Sequence, residues 1–501
     1  MYRSRPKGGL EDDASRFLSS MSQDEEILYY DILSSEAHCL MLYEIGILNQ
    51  SELKKILIAL EEIKTNNKLV FSSEKYHSIE KFEDIHEYLE SYVIKCAGIE
   101  AGGKMQTARS RNDQIMVDIH MKVRDQINNS CTAILDLIAS LLSKAKDHKY
   151  TTMIMYTHLQ QAQIGTFSHF LISYVEALFR DIDRLYLTYR RINQSPLGAC
   201  AIGGSCINID RKRTATLLGF NSVIENSIYA TSSRDVIIEF VFSIVLVMTT
   251  LSRIAEDLII WSTSEFCYID IADEYSSTSS AMPQKKNPDP LELIRSKASL
   301  LLGNLLAMIS TIKALPSGYS RDLQDLKIPL WQSCDTALQS IGVMNNIIKS
   351  LNVCKERMEE AASASYAVSI DIAEQLVLRK RIPFRSAHQL VGALVQKAIT
   401  NANLPLAMLK EKDIKTVVQR TGYDLEIHEL MQIIRETTPA KSVRMRASVG
   451  SPNPVKEEHM IRSSYTKAAA YREVINKRKK SVTAAFDNLL MTVQGHLNHK
   501  K

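Results

Sequence analysis

Between residues 112 and 166 the chain carries a single glycine, Gly165, and no proline. Both residues are sparse throughout, 18 glycines and 12 prolines in 501. Ile115, Ile119, Val123 and Ile127 recur every four residues, followed by Ile134, Ile138 and Leu141. That is helical period, with no residue to interrupt it. A helix of roughly 35 residues is about 50 Å long at about 1.5 Å per residue. Further long helices are expected over 233–264, 290–315 and about 329–362. Alternating strand patterns are scarce, so the expected class is mainly α. The elongated subunit divides into residues 1–108 (mixed helices and loops), 109–360 (a central long-helix bundle) and 361–501 (shorter helices broken by Gly and Pro).

The stretch VIIEFVFSIVLVMTTL (236–251) is apolar on nearly every face of a helix. Such a helix has to be buried all round. A slim five-helix bundle has few fully enclosed positions. The expectation is therefore a homo-oligomer with a helical core, the alternative being a central helix within one subunit. The stretch is shorter than the roughly 20 residues of a membrane span and holds Glu239, so no membrane role is expected. A net charge of +4 gives no case for nucleic-acid binding and does not repel an anionic substrate. The eight cysteines form no C-x-x-C pair, so no zinc or redox site is visible and a cytoplasmic setting with reduced thiols is expected. The N-terminal MYRSRPKGGLEDDASRF has no apolar core, and no leader is expected.

Four polar stretches stand out. SSTSSAMPQKKNP (276–288) ends where Pro288 and Pro290 open a helix, with Lys285, Lys286 and Asn287 beside them. A helix N-terminus with cations and an amide suits a carboxylate or phosphate, and nearby cations ease ionisation of a serine hydroxyl. No phosphate-binding G-x-x-x-x-G-K-[ST] loop accompanies it. By composition alone a solvated Ser/Thr loop is the simpler reading. TARSRNDQ (107–114) reads as a helix start capped by Asn112 or Asp113, with Arg109 and Arg111 crowding it as a guanidinium fork for carboxylates. YTHLQQAQ (156–163) places Thr157, His158 and Gln161 near the end of the first long helix. GYSRDLQDLK (318–327) reads as a polar inter-helix loop.

Together these stretches resemble the fumarase/aspartase superfamily. SSAMPQKKNPDPLE (279–292) is similar to its signature G-S-S-x-M-P-x-K-x-N-x-x-x-x-E, a long and specific pattern. Gln-Lys-Lys-Asn-Pro-Asp, TARSRNDQ, YTHLQQAQ and GYSRDLQDLK resemble the argininosuccinate lyase branch. FLSSMSQD (17–24), EDIH (83–86), TSSRD (231–235), PFRSAHQLVG (383–392) and SVRMRASVGSPNP (442–454) extend the resemblance over about residues 17–455.

The resemblance implies anti elimination of argininosuccinate to arginine and fumarate, in arginine biosynthesis or the urea cycle. It implies a homotetramer whose active sites are shared between subunits, with no cofactor and no metal. Ser279 is the implied base, and His158, oriented by Glu292, the implied acid or proton shuttle. Which of Ser279 and His158 takes the proton stays open at this level. Lys285 and Asn287 are implied to stabilise the dianionic intermediate. Ser20, Arg111, Asn112, Thr157, Tyr319, Gln324 and Lys327 are implied to hold the substrate. Other superfamily lyases (for adenylosuccinate, aspartate or malate) and a non-catalytic crystallin-like relative are the alternatives.

Several positions depart from the pattern, Gln106, Ser320 and Leu326 among them, and the family's N-terminal Trp-Gly-Gly-Arg-Phe is missing. Thr278 and Ala108 stand where the family has glycine, and Thr278 is expected to restrict the loop. The tail beyond residue 455 is longer than the pattern implies, and its KRKK (477–480) is expected to be a solvated basic helix face.

Overall fold

A computed structural model describes residues 11–66 and 82–498. The first ten residues, where no leader was expected, lie outside that range. The centre is a bundle of five long helices: α1 (Arg111–Asp147), α2 (Phe167–Ile192), α3 (Asp235–Trp261), α4 (Asp289–Ile312) and α5 (Lys327–Ser350). Helix α1 runs 37 residues, and the isoleucines that predict it are buried. Its start is fixed by a capping box: Ser110 is the N-cap and Asp113 accepts from the Ser110 N–H. The cap is therefore Ser110, not Asn112 or Asp113.

Helix α3 packs against α1, α2, α4 and α5, so it is central even within one subunit. Both α3 and α4 are long and apolar enough to cross a bilayer by length and composition alone. Polar contacts tie α3 to α2 instead: Tyr174 donates to Asp257, Thr250 to Asp181 (2.9 Å), and Arg191 to Glu239 (2.7 Å). Phe242 on α3 stays exposed in one subunit, and α4 exposes Leu293, Leu300, Leu302, Leu306 and Ile309. Each such side chain is worth about 1.5–3 kcal/mol if buried. The α4 side chains among them form an exposed apolar face.

Three elements differ from the sequence expectation. First, α1 stops at Asp147 and the chain turns into a hairpin, β1 (Thr152–Thr157) paired antiparallel with β2 (Gln160–Thr166). Thr157, His158 and Gln161 therefore lie on this hairpin, not at the end of the rod. TTMIMYT is rich in β-branched and aromatic residues, which favour a strand. Second, α5 ends at Ser350, because Asn352–Val353 pairs with Ile269–Asp270 before a new helix begins at Lys355.

Third, the C-terminal region is not all short helices. Its short helices between residues 355 and 445 share a separate hydrophobic core with Ile154 and Ile164 of the hairpin. The tail forms one 45-residue helix, α6 (Pro454–Asn498), which packs back along α1 and onto the N-terminal helices. The KRKK stretch is correspondingly not a plain solvated face. Arg478 stacks on Tyr186 and Tyr189 (4.3 and 4.0 Å to the ring centroids), and Lys479 donates to Asn129 (3.2 Å). Lys477 and Lys480 remain exposed.

Candidate active site

The motif residues form three separate groups in one subunit. The signature loop is a short ribbon, β3 (Ser277–Thr278) against β4 (Lys286–Asn287), leading into α4. Thr278 pairs with Lys286 in extended conformation and is not among the residues with positive φ. A β-branched residue suits that place, so the expected restriction does not arise. Ala108 does adopt positive φ (56°), at a cost of about 1–2 kcal/mol that glycine avoids.

Within this loop Ser279 Oγ accepts from two backbone N–H groups, Ala281 (3.2 Å) and Met282 (3.1 Å). Donors converging on one oxygen favour its ionised form. Lys286 is engaged by Asp270 (3.0 Å) and Asp273 (2.8 Å). Lys285 has no carboxylate partner among the described residues and donates to Asn287 Oδ1 at 2.5 Å. The free positive charge of the loop is therefore Lys285. Asp289 occupies the first turn of α4 and accepts from Ser277, which uses part of the helix-end field that the sequence offered to an anion. Glu292 is exposed in the same first turn.

The second group is the tip of the β1–β2 hairpin. His158 and Leu159 form a two-residue turn with φ of 55° and 56°. Left-handed backbone at two non-glycine residues costs about 1–2 kcal/mol each. Such strain concentrates where a side chain has to be presented in a fixed place. Thr157 and His158 are exposed, and His158 has no hydrogen bond to Glu292 or to the 276–288 loop in this subunit. The stem rests on aromatic rings at the end of α3: Tyr156 packs on Trp261 and Phe266, and its hydroxyl lies 3.0 Å from that of Tyr268.

The third group is a polar basket at the N-terminal end of α1. Asp24 is its centre, accepting from Ser20 Oγ (2.8 Å), Ile85 N–H (3.3 Å) and the buried Lys327 ammonium. Arg111 pairs with Glu83 (2.8 Å) and Asp84 (2.9 Å), and Arg321 with the other Glu83 oxygen (2.6 Å). Burial opposes ionisation of Glu83, but the two guanidiniums prevail and hold its pKa below the usual carboxylate value. Arg321 and Gln324 both donate to the Leu18 carbonyl (2.8 and 3.2 Å). Tyr319 is close by, its phenol pushed up by burial despite Arg234 and Arg321. Asn112 donates to the Ala201 carbonyl (2.9 Å), and Asp113 accepts from Gly198 and Cys200 (2.8 Å each), which pins that loop to the basket.

The structure thus unites Ser20, Arg111, Tyr319, Gln324 and Lys327, and it adds Asp24, Glu83, Asp84 and Arg321. Signals for the additions were present. Asp24 lies four residues after Ser20, on one helical face, and Glu83-Asp84 immediately precede Ile85-His86. The expected fork of Arg109 and Arg111 does not form. Arg109 turns inward and donates to Ser35 (3.0 Å) and Gln106 (2.9 Å).

Below the basket lies a buried cluster. His86 Nδ1 is 2.9 Å from Asp31 and 4.0 Å from Asp118, while Gln114 donates to Asp31 (2.6 Å) and Ser34 to Asp118 (3.0 Å). The three ligand atoms lie within 4.8 Å of one another, a spacing a metal ion accepts. The charges of the cluster hold a proton on His86. Burial alone lowers the pKa of His86, yet the charge and hydrogen bond of Asp31 outweigh it and hold the ring at about 9. Burial, then the charge of Asp31, pushes Asp118 well above the usual carboxylate range. A metal ion would have to displace that proton. Because the folded pKa of His86 exceeds the ordinary 6.5, its stabilisation is complete below that pH and is lost as pH rises through about 9. Asp118, also raised, acts with the same sign. Stability in urea should fall across this window by up to about 1.4 kcal/mol per pH unit for each of the two groups. His86→Gln should flatten that fall, and an unchanged slope in the variant shows that other groups cause it.

A family profile described as "Lyase" matches residues 13–303, and one described as "Argininosuccinate lyase C-terminal" matches residues 366–435. The argininosuccinate lyase of Nitrosopumilus maritimus is 45% identical over 98% of both chains. That of Methanocaldococcus jannaschii is 38% identical over 98% of this chain and 99% of its own. Among solved structures, an EDDS lyase with formate is 28% identical with a TM-score of 0.86, covering 98% of this chain and 97% of that one. A class II fumarase from Schistosoma mansoni shares the fold alone, at 15% identity, a TM-score of 0.70 and coverage of 86% and 95%. Full-length identity of this order, together with the two family profiles, makes the chain a member of the argininosuccinate lyase family, a family of carbon–nitrogen lyases.

Proposed function

We propose that the protein cleaves L-argininosuccinate to L-arginine and fumarate by anti elimination, as a cytoplasmic homotetramer serving arginine biosynthesis. The observation that carries the chemistry is the Ser279 oxygen held by two N–H groups in the loop that bears the free Lys285. The proton to be removed lies on the carbon β to the leaving nitrogen and α to a carboxylate. Ser279 Oγ takes it. The electron pair passes into that carboxylate, giving a dianion. Lys285 and Asn287 donate to it, and fixed donors in a closed site are the largest available stabilising effect. The pair then returns to form the C=C bond as the C–N bond breaks. His158, oriented by Glu292, delivers a proton to the departing guanidino nitrogen. Exclusion of water by loop closure strengthens each of these contacts.

Three subunits supply one site in this reading: one gives the signature loop, one the hairpin tip and one the basket with Ser20, Arg111, Asn112, Tyr319, Gln324 and Lys327. It is supported by the separation of the three groups within one chain and by the unpartnered apolar face of α4. Leu306→Glu on that face is expected to yield monomers or dimers in sedimentation, with activity reduced at least about 10²-fold because the site is no longer assembled. A tetrameric, active Leu306→Glu protein places the interface elsewhere. The reaction itself is tested by following fumarate absorbance with argininosuccinate, adenylosuccinate, aspartate and malate in parallel. Turnover of argininosuccinate alone is expected. Turnover of another substrate in its place moves the protein to a different lyase activity, and binding without turnover supports a crystallin-like role.

A further inference from the structure

We propose that Glu457, in the first turn of the tail helix α6, is a positioning residue for the hairpin that presents Thr157 and His158. The proposal rests on the reading of His158 given above. An isolated two-stranded hairpin is marginal in water, so its aim has to be set from outside. The strands are about 20 Å long at about 3.3 Å per residue, so a tilt of about 5° at the base moves the tip by about 2 Å. Misplacement by about 1 Å can cost about 10²-fold in rate.

The base is gripped by the tail. Thr152 and Thr166 are the closing pair of the hairpin. Thr166 is fully buried and caps α2, its hydroxyl oxygen accepting from the His169 N–H at 2.9 Å. The same hydroxyl donates to Glu457, also fully buried. The neighbouring Glu458 pairs with Lys149, just ahead of β1, so consecutive residues of one helix turn hold both strands. The start of α6 is itself anchored. Asn453 donates to the Arg444 and Arg446 carbonyls (2.8 and 3.2 Å), and the helix Pro439–Met445 contacts β1 and β2.

Glu457 is an expensive choice for a merely structural contact. A carboxylate with no exposed surface loses its hydration, and its second oxygen has no hydrogen-bond partner among the described residues. Burial accordingly pushes its pKa up, despite the nearby Thr166 and Ser168 hydroxyls. A smaller or apolar residue avoids that cost but offers Thr166 nothing to bond.

The test measures kcat and KM for argininosuccinate on the assembled full-length enzyme. Glu457→Ala is expected to lower kcat about tenfold or more with a smaller rise in KM, since Thr157 is the one substrate-holding residue that moves with the hairpin and the others belong to the basket. Glu457→Gln retains an accepting oxygen and should keep kcat within about twofold of wild type. Wild-type kcat in Glu457→Ala overturns the proposal, as does an equal loss in Glu457→Gln. If Glu457→Ala does not assemble, Thr166→Val decides: it should reproduce the kcat loss with Thr166→Ser restoring it, and full kcat in Thr166→Val refutes the clamp. His158→Asn separates the underlying reading. Full kcat there overturns the role of His158 and the clamp with it, whereas a large loss beside an unaffected Glu457→Ala overturns the clamp alone.

Discussion

Ser279→Ala should lower kcat by about 10³-fold, close to 4 kcal/mol in the barrier, while argininosuccinate still binds within a few-fold of wild type. The expectation follows from where the side chain sits. Its oxygen accepts from Ala281 and Met282 N–H groups, and Lys285 donates to Asn287 two residues further along the same loop. Nothing in the structure gives Ser279 a role in holding the fold: the loop is largely exposed, so the two N–H groups it leaves behind can turn to water. The substrate contacts assigned to the basket are untouched by the change. A loss in kcat with little change in binding therefore isolates the proton-transfer step. Stopped-flow fumarate release gives the first number and isothermal titration the second. If kcat survives within about tenfold, the base is another group, and His158 at the hairpin tip is the next to test. Lys285→Met offers a control from the same ribbon, since it keeps the serine but removes the cation that favours its ionised form.

The sequence was most legible where local pattern decides structure. The isoleucines at 115, 119, 123 and 127 define α1 because helix periodicity needs only neighbours three and four residues away. The signature loop was readable for a different reason, as one contiguous motif. The hairpin was missed because its turn, His158-Leu159, carries none of the glycine or asparagine that marks such turns. The tail helix had a signal that composition hid. Ile461, Ala468, Ile475, Val482 and Leu489 repeat every seven residues, a seam suited to lying along another long helix. Least legible was the basket. Lys327 meets Asp24 from 303 positions away, and no local window contains both. The family resemblance pointed to Ser20 and Lys327 but not to the carboxylate that joins them.

That carboxylate carries the second large expectation. Lys327 and Asp24 are 1% and 0% exposed, an ion pair withdrawn from water. Removing one partner leaves a buried, unpaired charge, which costs about 3–5 kcal/mol, whereas replacing both by apolar residues of similar volume is often close to neutral. Asp24→Leu should therefore lower stability by about 3–5 kcal/mol in urea titration, and Asp24→Leu with Lys327→Met should recover most of that loss. Activity should behave differently. Asp24 also orients the Ser20 hydroxyl and the Ile85 N–H, and the adjoining Glu83 joins Arg111 to Arg321. The double variant restores packing but not that polar frame, so its kcat/KM should stay at least about 10²-fold down, a distinct cost of misplaced substrate contacts. Stability and activity recovering together would show that the pair only holds the basket shut. Stability recovering alone shows that the charges serve the substrate, and that the subunit accepts a buried pair of little net value to its own folding in order to keep Ser20, Arg111 and Gln324 in place.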